Sequence, residues 1–113
     1  MSKTIFTKII EGEIPANKVY EDDQIIAFRD IEPKAALHLL IVPKKPIPTI
    51  NDLEVGDAEL VGQLFLVAKR LAKEHKVADD GYRVIMNCGE GGGQTVFHMH
   101  LHLLAGPDLP AFG

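Results

Sequence analysis

The segment Val96-Phe97-His98-Met99-His100-Leu101-His102-Leu103-Leu104 constrains this chain more than any other stretch. Histidine alternates with an apolar residue from 98 to 103, a period of two. Successive side chains of a strand point to opposite faces. The spacing therefore predicts a strand over 96–105. His98, His100 and His102 share one face, and Phe97, Met99, Leu101 and Leu103 share the other, which is core. In a helix, rings at i, i+2 and i+4 would not share a face so cleanly. Three imidazoles in close file repel one another when charged, and burying them unpaired is costly. A purely structural row explains them poorly, so the histidine face is where chemistry is expected.

The rest of the chain reads as a sheet built to receive that strand. "KTIFTKIIEG" (3–12) carries Ile5, Phe6, Ile9 and Ile10 at helical spacing, with Gly12 suited to a stop. "KVYE" (18–21) and "QIIAFRDI" (24–31) read as strands joined by the acidic turn Glu21-Asp22-Asp23. "LHLLIVP" (37–43) is a third strand, closed by Pro43, and "PKKPIPTI" is too rich in proline for a regular element. Asn51 and Glu54 suggest a capped start to a long helix, interrupted by Gly56, with Leu60, Leu64, Val67 and Leu71 as its buried stripe. Lys69, Arg70, Lys73, His75 and Lys76 gather near its C-terminal end, where the helix dipole favours positive charge. "GYRVIMNC" (81–88) is a fourth strand, "GEGGGQT" (89–95) a glycine loop, and "GPDLPAFG" a tail. Short connections and dominant strands predict an α+β fold with an antiparallel sheet, as a single domain over 1–113.

Composition narrows the partners. With 12 Lys and Arg against 16 Asp and Glu, the net charge is −4, which argues against a nucleic-acid binder. No apolar run reaches membrane-spanning length, and the N-terminus lacks the continuous apolar stretch of a secretory signal. Cys88 is the single cysteine and cannot pair internally, so the chain reads as cytoplasmic, with Cys88 a small buried hydrophobe. A domain this small is modestly stable, which makes a dimer plausible.

Several groups are candidates for the histidine surface. His38 alternates with Leu40 and Val42, Phe28 shares a face with Asp30, and Ile85 with Asn87. The glycine loop leads straight into the histidine strand, and glycines let backbone N–H groups converge on an anion. Imidazoles, an amide, the Thr95 hydroxyl and such a loop together suit a phosphate. Two chemistries compete. A His-x-His pair chelates a metal well, but the outer rings stand roughly 13 Å apart along a strand, so a site would need a further ligand such as His38. Alternatively, a neutral imidazole nitrogen attacks phosphorus and carries the group, while its neighbours bind phosphate oxygens.

His98-Met99-His100-Leu101-His102-Leu103-Leu104 resembles the His-φ-His-φ-His-φ-φ signature (φ, hydrophobic) of the histidine triad (HIT) superfamily. "TIFTKIIEGEIPA", "IAFRDIEPKAALHLLIVPKK" and "GYRVIMNCGEGGGQTVFHMHLHLLAG" extend the similarity over nearly the whole chain, toward its nucleotide-binding (HINT) branch. The resemblance implies a five-stranded antiparallel sheet with two helices per subunit, and a homodimer with a ten-stranded sheet. It implies hydrolysis of purine nucleoside 5′-phosphoramidates without a cofactor. His100 would become nucleotidylated, His98 and His102 would contact the phosphate, and His38 would complete the imidazole set. Asp30 would accept hydrogen bonds from the ribose hydroxyls. Phe6, Ile9, Phe28, Ile31 and Leu40 would line the base pocket, and Asn87, Gly93, Gln94 and Thr95 would hold the phosphate and leaving group. The alternatives are a dinucleoside polyphosphate hydrolase and a non-catalytic purine-nucleotide binding module.

The chain also departs from relatives. Some bacterial members carry a zinc-binding Cys-x-x-Cys where this chain has Thr4-Ile5-Phe6-Thr7, so no structural zinc is expected. Thr95 stands where several relatives have serine. The tail "AGPDLPAFG" lacks the tryptophan of animal members, which opens the question of leaving-group preference. Lys44, Lys45 and His75 read as solvated or helix-end residues.

Overall fold

The computed structural model describes residues 3–111. Its regular elements run α1 (Ile5–Ile10), β1 (Lys18–Glu21), β2 (Ile25–Arg29), β3 (Leu37–Pro43), α2 (Ala58–Glu74), β4 (Arg83–Ile85) and β5 (Leu101–Ala105). The five strands form one sheet in the order β1-β2-β3-β5-β4, antiparallel at every pairing. The α+β reading and the antiparallel sheet are therefore correct. The central pair is β3 with β5, where Leu40 stands opposite His102 and His38 opposite Leu104.

Helix α1 starts where the Thr4 hydroxyl accepts the Thr7 N–H at 3.2 Å, and it stops before Gly12, whose φ of 79° suits glycine. Two 3₁₀ turns, Ile50–Asp52 and Val55–Asp57, precede α2, so the long helix begins later than Asn51 and Glu54 suggest. Thr49 and Asp52 form the capping box of the first turn. Leu64, Val67, Ala68, Leu71 and Ala72 are the buried residues of α2.

The sheet has two unlike faces. On one, Ile25, Leu39, Ile41, Met99, Leu101 and Leu103 pack with Leu64 and Leu71 of α2. Each such fully buried side chain contributes about 1.5–3 kcal/mol relative to exposure. On the other, Phe6 and Ile9 of α1 pack on Ile26, Phe28, Leu40 and Val42. That cluster covers only part of its face, and the imidazoles take up the remainder.

The expected strands are longer than the observed ones. β2 ends at Arg29, which leaves Asp30 just past the strand, its N–H still bonded to His38 O, and β4 keeps only three residues. Residues 96–100 are not strand. They run beside the segment after β3, where the Met99 N–H donates to Ile47 O at 2.7 Å. Phe97, expected in the core, is 44% exposed, whereas Met99 keeps its place in the cluster under α2. Lys44 and Lys45 are not simply solvated: they pair with Glu21 and with the buried Asp57. His75 caps α2, with its Nδ1 2.9 Å from Leu71 O.

Candidate active site

The four imidazoles meet at the junction of β3, β5 and α1. His100 lies 4.9 Å from His102 and 4.8 Å from Phe6, between ring centroids, and His38 lies 5.2 Å from His102. Their hydrogen-bond partners fix which nitrogens carry protons, because a carbonyl only accepts. His100 Nδ1 sits 2.8 Å from His98 O and so carries the hydrogen. Its Nε2 is left with a free lone pair. His98 Nε2 sits 2.6 Å from Pro43 O and also donates, while its Nδ1 is buried without a partner.

The second pair is arranged differently. The backbone N–H of Lys34 donates to His38 Nδ1 at 3.0 Å, so the His38 hydrogen lies on Nε2. That Nε2 contacts His102 Nδ1 at 2.9 Å and Asp30 Oδ2 at 3.5 Å. His102 therefore accepts at Nδ1 and, when neutral, holds its proton on Nε2. Burial lowers the pKa of His38, His98 and His100, although Asp30 partly opposes this at His38. Burial, and then the neighbouring His100 and His38, push His102 down to about 4. At neutral pH the set is four uncharged rings with defined donors and acceptors.

A cleft of about 300 Å³ opens beside them. Phe6, Ile9, Phe28, Ile31 and Leu40, the residues expected to form a base pocket, all border it. Asp30, Thr95, His100 and His102 border it too. The cleft thus joins an apolar slot to a carboxylate, a hydroxyl and two imidazoles, a pattern typical of a small-molecule site. Ile31 is 88% exposed and forms the rim. Asp30 Oδ1 accepts the Glu32 N–H at 2.8 Å, which fixes the carboxylate.

His98 departs from its expected place. It is 1% exposed and does not border the cleft. Its ring holds Pro43, and its carbonyl holds His100. The glycine loop departs as well. The N–H groups of Gly92, Gly93 and Gln94 bond back to Gly89 and Glu90 carbonyls, so they do not converge on an open anion site. The Gln94 amide is turned inward: its Oε1 accepts from Gly89 N, and its Nε2 donates to Pro48 and Val96 carbonyls. Asn87 Nδ2 donates to Gly92 O at 2.8 Å, pinning the loop. Gly93 has a φ of 90°, and a Cβ there would stand 3.4 Å from Asn87 Nδ2.

The donor atoms spaced closely enough for a metal ion are not those of the three alternating histidines: only His102 is shared. Asp30, His38 and His102 each bring one ligand atom within 4.8 Å of the others. In the structure that space is bridged by the His38–His102 hydrogen bond.

The family model described as HIT domain matches residues 11–109. This chain belongs to the HIT family. Among HIT relatives, it is 49% identical over 107 residues to the purine nucleoside phosphoramidase of Escherichia coli (strain K12), spanning 95% of this chain and 90% of that protein. Its structure is similar to a HIT family hydrolase from Legionella pneumophila Philadelphia 1, with a TM-score of 0.94, 49% identity, and coverage of 97% and 98% of the two chains. A histidine triad protein from Clostridium difficile gives a TM-score of 0.93 at 44% identity, over the whole of both chains.

Two residues in or near this HIT site were not anticipated from the sequence. Lys34 borders the cleft, and its amide sets the tautomer of His38. Arg83 reaches across the sheet end, and its guanidinium donates to Pro110 O at 2.7 Å. The turn "IEPKA" hints at a backbone donor, but nothing local marks Arg83 as more than a strand residue.

Proposed function

We propose that the chain hydrolyses purine nucleoside 5′-phosphoramidates to the nucleoside monophosphate and an amine, through a nucleotide carried on His100. The observation that carries this is the His100 tautomer: Nδ1–H is tied to a carbonyl, and Nε2 is unprotonated in a ring bordering a nucleoside-sized cleft. A lone pair held ready in this way is what nucleophilic catalysis requires. The likeness to the purine nucleoside phosphoramidase of E. coli supports the same substrate class.

In this reading the base lies among Phe6, Ile9, Phe28, Ile31 and Leu40, and the ribose hydroxyls donate to Asp30. His102 Nε2–H and the Thr95 hydroxyl donate to phosphate oxygens, which stabilises charge in the transition state. Asn87 and Gly93 shape the loop beside the leaving group, Gln94 holds that loop in place, and His98 positions His100. The phosphoramidate reacts protonated at nitrogen. His100 Nε2 forms a bond to phosphorus, the P–N bond breaks, and its electron pair leaves on a neutral amine. Water then attacks phosphorus, the bond pair returns to Nε2, and one proton is released. No step calls for a metal or a cofactor.

We further propose that two copies pair through the β4 edge, extending the sheet to ten strands. β4 ends the sheet, and Phe65 and Leu66 of α2 are half exposed. Val84→Pro should convert such a dimer to a monomer in light scattering. The single cysteine, which has no partner for an internal disulfide, favours a cytoplasmic setting.

The deciding experiment is hydrolysis of adenosine 5′-phosphoramidate in EDTA by the wild type and His100→Ala, with diadenosine triphosphate in parallel. Turnover that survives EDTA and vanishes in the variant supports the proposal, as does an AMP adduct on His100 in rapidly quenched protein. Tight AMP binding with no turnover of either substrate would leave a binding module. Preference for diadenosine triphosphate would move the activity to polyphosphate hydrolysis.

A further inference from the structure

Residues 43–48 border no part of the cleft beside His100, and past Pro43 they have no regular structure. Three of their carbonyls nevertheless hold the site from behind. Pro43 O accepts from His98 Nε2 at 2.6 Å, Ile47 O accepts the Met99 N–H at 2.7 Å, and Pro48 O accepts from Gln94 Nε2 at 2.7 Å. The first two fix the residues just ahead of His100. The third fixes the amide whose Oε1 takes the Gly89 N–H and steadies the glycine loop. Residues 96–100 are not strand, so these carbonyls stand in for a neighbouring strand.

Little in the backbone holds that stretch in turn. Pro43, Pro46 and Pro48 have no N–H to give. The Lys44 N–H reaches Gln24 O at 2.7 Å, and the Ile47 N–H turns back onto Lys45 O. Side chains supply the rest. Ile47 is buried in the cluster under α2, Lys44 Nζ pairs with Glu21, and Lys45 Nζ meets Asp57 Oδ1 at 2.5 Å. The last pair is unlike the others. The Asp57 side chain is 5% exposed, whereas the other lysine and arginine pairs among the described residues use exposed carboxylates. Its Oδ2 accepts the Glu54 N–H at 2.9 Å, in the turn that leads into α2. A buried carboxylate keeps its partner more firmly than a surface one, because letting go leaves an unpaired charge out of water.

We propose that Lys45 and Asp57 are positioning residues for His100: their ion pair ties residues 43–48 to the start of α2, and those residues hold His98 and the carbonyl that sets the His100 tautomer. Neither residue borders the cleft, so both act only through others. The effect on turnover rests on the phosphoramidase reading above. With the tie broken, the Pro43 carbonyl no longer fixes His98. The His98 carbonyl then drifts from His100 Nδ1, and fewer molecules present the Nε2 lone pair in line with phosphorus. A shift of about 1 Å at a reacting group costs up to about a hundredfold in rate. Phe6, Phe28 and Asp30 are held by other elements, so nucleotide binding is spared.

The test measures kcat and KM for adenosine 5′-phosphoramidate, and AMP binding, in the wild type, Lys45→Met, Asp57→Asn, the double variant and Lys45→Arg. Asp57→Asn keeps an acceptor for the Glu54 N–H. The double variant leaves no unpaired charge, so it reads the tie even where a single variant fails to fold. Each single variant and the double should lose about tenfold in kcat, with KM and AMP affinity within about twofold of wild type. The double should be no worse than the poorer single, because both remove one interaction. Lys45→Arg should recover most of the rate. Leu64→Ala, a truncation in the core of α2, is the control for lost stability alone, and its kcat per folded molecule should stay near wild type. Wild-type kcat in the double variant overturns the proposal, as does a loss in Leu64→Ala equal to that in Lys45→Met. Weakened AMP binding with kcat intact overturns it too. Imidazole ¹⁵N spectra give a readout without turnover. They should show His100 protonated at Nδ1 in the wild type and a mixture of tautomers in the double variant, and identical spectra would overturn the tie. No hydrolysis by the wild type sinks the phosphoramidase reading, while the spectra still decide whether the ion pair orients His100.

Discussion

Residues 98–103 hand alternate side chains to two sides of one sheet, and the two sides are finished in opposite ways. Met99, Leu101 and Leu103 are fully buried in the cluster under α2, with no polar contact to satisfy. His98, His100 and His102 face the other way, and each ring has a nitrogen committed to a named acceptor or donor. The first side is held by area and the second by direction. A strand period of two lets stability and chemistry lie one residue apart without sharing atoms. The imidazole side is itself divided. His98 and His100 are tied to backbone carbonyls, whereas His38 and His102 are tied to each other.

The contrast can be broken most sharply at His100. His100→Ala should lower kcat/KM for adenosine phosphoramidate by at least about 10³-fold, more than 4 kcal/mol on the barrier, while far-UV circular dichroism stays native. Leu101→Ala, one position away, should do the reverse. It should cost about 2–5 kcal/mol in urea unfolding, with kcat per folded molecule near wild type. Equal losses of activity in the two variants would show that the faces are not separable.

His98 tests the boundary between the sides. It belongs to the chemical file but is as buried as Leu101, so His98→Ala should register in both measurements. Losing the bond to Pro43 O should cost about 1–3 kcal/mol of stability, and the displaced His98 carbonyl should lower kcat by about tenfold or more with little change in KM. A purely structural role would leave kcat per folded molecule intact.

The change that is smallest per step concerns pH. His102 is pushed down to about 4 in the folded protein, against an ordinary value near 6.5. Between these values the unfolded chain binds a proton that the folded chain does not. Stability therefore falls as pH drops from about 6.5 to 4, by at most about 1.4 kcal/mol per unit from this group, and levels off below. His38, His98 and His100 shift in the same direction and add to the slope. His102→Gln should flatten the slope in thermal melts between pH 4 and 6.5; an unchanged slope would contradict the neutral-ring assignment.

The alternation at 98–103 and the apolar runs at 25–29 and 37–43 were enough to read the sheet, because side-chain direction in a strand is a local property. Phe6, Ile9, Phe28, Ile31 and Leu40 were legible as one group only through the family resemblance, since nothing in their spacing says that they border one cleft. Strand lengths were not legible. Residues 96–98 have the composition of a strand, but their neighbours are the Pro43–Ile47 stretch and not another strand, so Phe97 turns outward. The ring tautomers were also out of reach. They depend on Pro43 O, on the carbonyl of His98, and on the Lys34 amide, and such contacts exist only after the chain has folded. Lys34 and Arg83 were invisible for the same reason: they belong to distant segments that meet at one end of the sheet.

The hydrogen bond between His38 and His102 spans 64 positions of sequence and joins the two central strands. The middle of the sheet is therefore completed by the last strand to be synthesised. A growing chain can form α1, the β1–β2 hairpin and β3 while His100 and His102 are still unmade. Closing so long a loop comes late and slowly compared with local hairpins. Catalytic turnover would thus serve as a clock for refolding, starting only when the β3–β5 seam has closed.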